Sequence, residues 1–142
     1  MNVPALNKDL KIAMAMLGKD NVTWSTDPSN MFIIIKNLKL PSNIKPAVTS
    51  VKIPIPLNLY DPAEAGKFHY YQNVFVDPGL QVRYPNGSWG AIPRHHDAPV
   101  KKDDNGWRFL CLYPKGKVDE RTNIAYFIRL LQVWFKNCLK LN

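Results

Sequence analysis

The sequence predicts an α+β fold, with one helix at each end of the chain and three or four antiparallel strands between them. Three observations carry the prediction. Apolar residues recur at three-and-four spacing near both ends. The middle of the chain holds β-branched and aromatic runs punctuated by Pro and Gly. A length of 142 residues fits a single domain spanning residues 1–142, since domains commonly run ~100–200 residues.

Pro4 to Leu17 reads as a helix: Leu6, Leu10, Ala13, Met14 and Leu17 share one face, and Gly18 stops it. Asn21 to Asn30 is polar and turn-rich around Asp27-Pro28, which predicts a loop. Met31 to Leu40 is an isoleucine-rich strand, and Pro41 to Pro46 a turn. Val48 to Tyr60 is a second extended stretch. Pro54 and Pro56 each lack an amide donor, so this strand either lies at an edge or ends there.

After the loop Asp61 to Gly66, Phe68 to Val76 predicts a third strand closed by Asp77-Pro78-Gly79. Leu80 to Tyr84 is a short fourth candidate before the turn Pro85-Asn86-Gly87. The stretch from Pro85 to Gly106 reads as loop, and a structureless segment of that length in a compact domain is commonly functional. Trp107 to Tyr113 is a short apolar strand followed by the turn Pro114 to Gly116. The last element is a helix from about Thr122 to Leu139, with Thr122 as its amino-terminal cap. Ile124, Phe127, Leu131, Trp134 and Cys138 form its apolar face, widened by Ile128 and Phe135.

Composition narrows the class. With 46% hydrophobic and 21% charged residues, the chain is too apolar for a disordered protein. Its apolar runs, such as Met31 to Ile35 and Phe109 to Tyr113, fall far short of the ~20 residues that cross a bilayer. Met1-Asn2-Val3-Pro4 shows no basic stretch followed by an apolar one, and two cysteines do not make a secreted scaffold. The expectation is a soluble, cytoplasmic protein without a membrane partner.

Nineteen Lys and Arg against eleven Asp and Glu give a net charge of +8, which invites a nucleic-acid reading. The distribution argues against it: the cations are spread along the chain, and the tightest pair, Lys101-Lys102, is followed at once by Asp103-Asp104. No basic run interleaves with aromatics in an RNA-binding signature. Arg121, Arg129, Lys136 and Lys140 make the last segment basic without an acid among them. That segment is either a solvated face or a docking surface for an acidic partner, protein or nucleic acid.

Cys111 and the pair His95-His96 are the candidates for chemistry. In a five-residue apolar run Cys111 reads as a core thiol. Its position after a long polar loop, flanked by Arg108, Lys115 and Lys117, instead favours a thiolate. Cys138, on an apolar helix face, is structural. His95 and His96 are either ordinary surface residues or the base of a Cys–His arrangement, since nucleophile and base need only meet in space. The sole other histidine, His69, lies far off in sequence, and no C-x-x-C or H-E-x-x-H occurs, so no metal site is expected. Phosphate-binding glycine motifs and G-x-S-x-G are absent as well.

The run Asn105-Gly106-Trp107-Arg108-Phe109-Leu110-Cys111-Leu112 resembles the active-site segment of ubiquitin-conjugating enzymes, where a histidine-bearing loop and a glycine precede an isoleucine-cysteine-leucine stretch. About a dozen residues later those enzymes begin a helix with threonine and isoleucine, as Thr122 and Ile124 do here. The resemblance covers most of the chain by element order and roughly Pro93 to Trp134 by motif. The chain departs from the family in several places. The His-Pro-Asn tripeptide, the tryptophan between cysteine and helix, and the final helices of the eukaryotic enzymes are absent, and Gly106 stands two residues farther from the cysteine. Those departures resemble the bacterial relatives of antiphage-defence operons.

The resemblance implies a ubiquitin-conjugating-enzyme-like fold and a thioester on Cys111. A ubiquitin-like modifier or protein carboxy terminus would come from an activating enzyme and pass to a target protein. His95 or His96 would stabilise the oxyanion or take a proton from the incoming amine. Asn105 and Asp104, with Asp103, would orient that amine more weakly. The amino-terminal helix, with Lys8, Lys11 and Lys19, would dock the partner. Neither metal nor organic cofactor is implied. Two other classes stand beside this one: a catalytically inactive relative that binds a ubiquitin-like protein or scaffold, and, more distantly, a nucleic-acid binder.

Overall fold

A computed structural model describes residues 3–27, 30–55, 73–94, 106–112 and 123–140. Helix α1 (Val3–Leu17) leads through one 3-10 turn (Lys19–Asn21) into strands β1 (Val22–Asp27), β2 (Asn30–Lys39), β3 (Ile44–Lys45) and β4 (Val48–Pro54). Strands β5 (Asn73–Val76), β6 (Gln81–Arg83), β7 (Trp89–Ala91) and β8 (Arg108–Cys111) follow, and helix α2 (Ile124–Lys136) comes last. The architecture is α+β, with antiparallel pairing throughout the described residues.

Five strands form one sheet in the order β1-β2-β4-β5-β8, and β3-β6-β7 form a second. Period-two alternation divides the larger sheet into two faces. Ile33, Ile35, Val51, Ile53, Val74, Val76 and Leu110 make one face, none more than 1% exposed. They share a single core with Leu6, Leu10 and Ala13 of α1 and with Ile124, Phe127, Ile128, Leu131 and Phe135 of α2. Burial of a side chain of this size stabilises by about 1.5–3 kcal/mol, so these faces decide the fold. On the opposite face Phe75 stacks on Phe109 across the strand pair, with ring centroids 4.6 Å apart. The buried Lys52 holds its ammonium 4.6 Å from the Phe32 ring and 5.5 Å from that of Phe75.

Strand β2 keeps both halves of its apolar pattern inward by means of a bulge. The register shifts between Ile35 and Leu38, and Asn37 takes φ 57°, a left-handed conformation that Asn tolerates. The Asn37 amide donates to Asn21 Oδ1 at 2.9 Å, and the Asn21 amide donates to the Leu17 carbonyl at 2.7 Å. One short chain of amides thereby ties the bulge to the end of α1.

The structure differs from the sequence expectation at five points. Residues 22–27 form a strand rather than a loop: Val22, Thr23, Trp24 and Thr26 suit a pleated surface, although Val22 alone among residues 22–27 is buried. Residues Ile44–Lys45, inside the expected turn 41–46, form β3, whereas β4 ends at Pro54, as one of the two expectations has it, and is central, between β2 and β5. Within the expected loop 85–106, residues Trp89–Ala91 form β7, closed on β6 through Pro85-Asn86-Gly87-Ser88. Two sheets replace a single meander. Asn123 caps α2, its side-chain oxygen accepting from the amides of Ala125 at 3.0 Å and Tyr126 at 3.3 Å, and Thr122 lies outside the described residues. Residues 56–72 and 113–122 lie outside them too. No described helix is long and apolar enough to cross a membrane.

Candidate functional site

Cys111 is the last residue of β8, where Asn73 of β5 is its Cα partner. β8 stands at one end of the five-strand order, so the thiol-bearing residue closes the sheet's final strand. Gly106, at φ 83°, turns the chain into Trp107 and then β8. A left-handed position of this kind suits glycine because other residues pay a Cβ clash. His95, His96, Asp103, Asp104 and Asn105 lie outside the described residues.

Arg108, three residues before Cys111, carries the connection between these two parts of the sequence. Its guanidinium donates to the Ile92 carbonyl at 2.9 Å and to the Pro93 carbonyl at 2.8 Å. Ile92 is 1% exposed and fixed in the core. The strand that ends in Cys111 is thus bonded to the residues that lead directly to His95 and His96. Arg108 and Cys111 stand about 10 Å apart along the strand. The sequence offered Arg108 only as a nearby positive charge; its part in joining the two segments depends on the fold.

Two adjoining clefts open at the Arg108 end of β8. The larger, of about 550 Å³, is lined by Pro46, Thr49, Ser50, Asp77, Pro78 and Trp107 among others. The smaller, of about 260 Å³, runs from Pro78 and Trp107 past Ile92 and Arg94 to Arg108. Pro78, Gly106 and Trp107 border both. The larger has the volume of a small-ligand or peptide site. Sequence reasoning passed over Asp77 and Trp107 as turn and strand residues, because the cleft arises from non-local neighbours.

Cys138 is fully buried, and burial pushes its pKa up from the ordinary 9.0, with its own backbone amide and the Arg108 charge acting the other way. A thiol held protonated is a poor nucleophile, which fits a structural role. Among the described residues no three His, Cys, Asp or Glu side chains group as metal ligands.

Comparison with family models, curated proteins and solved structures finds no match to this chain.

Proposed function

We propose that this chain is a cysteine-dependent conjugating enzyme that carries a ubiquitin-like or ubiquitin-mimicking protein as a thioester on Cys111 and transfers it to a target amine. Its setting is a cytoplasmic bacterial antiphage system. The observation that carries the reading is the pair of bonds from Arg108, on the strand ending in Cys111, to the carbonyls of Ile92 and Pro93, which precede His95 and His96 in sequence. The element order supports it: helix, antiparallel strands, a cysteine closing the last strand, and a capped helix opening at Asn123, twelve residues later.

In this reading the Cys111 thiolate attacks the activated carbonyl at the modifier's carboxy terminus and displaces the activating enzyme's own thiolate. A target amine then attacks the thioester. The tetrahedral intermediate expels the Cys111 thiolate, leaving an amide, and the amine's surplus proton passes to a base. His95 or His96 is assigned to that proton or to the oxyanion, and loss of one oxyanion donor commonly costs ~10²–10³ in rate. Activating enzyme, modifier and target protein are the partners.

A second reading, a non-catalytic binding relative, is favoured by the clefts at the Arg108 end of β8, the larger of which has the volume of a small-ligand or peptide site. Intact mass separates the two. Wild type, Cys111→Ala and Cys138→Ala are each incubated with a bacterial ubiquitin-activating-like enzyme and its ubiquitin-like modifier. A reducible adduct of modifier mass on wild type and Cys138→Ala, missing from Cys111→Ala, is the expected result. No adduct on any of the three, with an activating enzyme shown to charge its modifier, would replace the enzyme reading with the binding one.

A further inference from the structure

The fold gathers cations that the sequence scatters. Antiparallel pairing sets Lys45 opposite Gln81, Gln81 opposite Ala91, and Arg83 opposite Trp89, so one face of the β3-β6-β7 sheet carries Lys45, Arg83 and Trp89 together. Lys45 and Arg83 are exposed and Trp89 is half-buried. The Lys45 ammonium sits 4.7 Å from the centre of the Trp89 ring, a cation–π contact. The other face turns inward through Ile44 and Val82, and Tyr84 fills the space over Gly90.

This sheet adjoins the basic end of α2. Asn43 donates to the carbonyls of Phe135 at 3.1 Å and Lys136 at 3.3 Å, and its own carbonyl accepts the Arg83 amide at 2.9 Å. Gln132 donates to the Lys39 carbonyl at 3.1 Å. Lys39 and Lys136 are both exposed, and these bonds bring their backbones beside the β3 end of this sheet. The described acids are Asp9, Asp20, Asp27 and Asp77, and none belongs to β2, β3, β6, β7 or α2. Asp77, the one beside this sheet, lies in the cleft beyond Pro46, where its carboxylate accepts from the Gly79 amide at 2.8 Å.

We propose that the exposed face of the β3-β6-β7 sheet binds single-stranded nucleic acid, with a base stacked on Trp89 and backbone phosphates on Lys45, Arg83, Lys39 and Lys136. Charge complementarity selects a polyanion, in keeping with the net charge of +8. The aromatic ring selects a partner with flat faces, because base–aromatic stacking within a basic surface is how single strands are held without sequence preference. Lys45 covers the ring in the free protein; a stacking base displaces its ammonium toward the adjacent phosphate. The surface is independent of Cys111 and of the conjugation reading.

The test is fluorescence anisotropy of labelled oligo-U and oligo-dT dodecamers with the full chain, across a salt series. Four phosphate contacts predict a log–log salt slope of about −2.8, or roughly 50-fold weaker binding between about 50 and 200 mM salt. Trp89→Ala should weaken binding by about 5- to 150-fold, while Trp89→Phe retains most of it and Trp24→Ala, on β1, retains all. Lys45→Glu with Arg83→Glu changes exposed residues only and should bring the slope to about −1.4. Absence of saturable binding at the lowest salt overturns the proposal. So does a Trp89→Ala protein that keeps its circular dichroism and full affinity, or equal displacement by polyglutamate, which would make the face an acidic-protein contact.

Discussion

Arg108→Met removes two hydrogen bonds from a charged donor to main-chain carbonyls, at 2.9 and 2.8 Å, while keeping much of the side chain's apolar volume. Hydrogen bonds to charged groups contribute about 1.5–3 kcal/mol each, so the pair has a ceiling of about 3–6 kcal/mol. Arg108 is only half-buried, and water replaces part of what the Ile92 and Pro93 carbonyls lose. The expected destabilisation is about 2–4 kcal/mol, a large part of the roughly 5–15 kcal/mol that holds a domain of this kind together. For a chain of this length it lowers Tm by about 10 °C. Arg108→Lys keeps the charge but not the planar fork that reaches two carbonyls at once, and should fall between wild type and Met. Urea unfolding, with a common m-value across the three proteins, measures the differences. Amide exchange at Ile92 and Arg94 should quicken in the Met variant. A loss below about 0.5 kcal/mol would refute the reasoning, since solvent would then serve those carbonyls as well as the guanidinium does.

Asn123→Ala should cost about 1 kcal/mol by leaving two amides of the first turn of α2 without their acceptor, and more than Thr122→Ala; thermal unfolding of the two variants checks the order. Gly90→Ala places a methyl 2.9 Å from Tyr84 Cε2, in a ring whose hydroxyl donates to the Ala91 carbonyl at 2.6 Å. Overpacking there should cost about 1–3 kcal/mol in urea unfolding, and Gly90→Ala with Tyr84→Leu should recover part of it. Because burial holds the Cys138 pKa above its unfolded value, the unfolded chain loses this proton first, and stability falls as pH rises past the ordinary thiol value toward the folded one. In a Cys111→Ala background, Cys138→Ala should flatten that alkaline decline, which a single group limits to about 1.4 kcal/mol per pH unit; an unchanged slope would assign it elsewhere.

The elements that sequence reasoning places well are those whose period and burial agree. In α2 the positions Ile124, Phe127, Ile128, Leu131, Trp134 and Phe135 are all buried, and in β2 Ile33, Ile35 and Leu38 are fully so. Strands β1 and β7 escape because their side chains carry little of that signal. β1 buries Val22 alone of residues 22–27, and β7 none of its three residues. What holds them is main-chain pairing to β2 and β6, which has no side-chain period to read. The bulge at Asn37 hides in the same way: Met31 to Leu40 reads as one unbroken strand, whereas a left-handed residue at Asn37 is what returns Leu38 to the core.

The candidate site was legible as separate pieces whose neighbourhood was not. Cys111 and the histidine pair can be named from residue type, but a bond from Arg108 to carbonyls 15 and 16 residues earlier has no local signature. The same holds for charge. Lys39, Lys45, Arg83 and Lys136 are spread along the chain, and a reading by sequence proximity finds no basic cluster. Strand pairing and the Asn43 bonds bring the cations to one region. An electrostatic surface is fixed by which elements adjoin, since interactions between exposed charges fade beyond about 8–10 Å at ordinary salt. Even spacing along a chain is therefore weak evidence against a polyanion partner, because strand order and not sequence distance sets which charges share a surface.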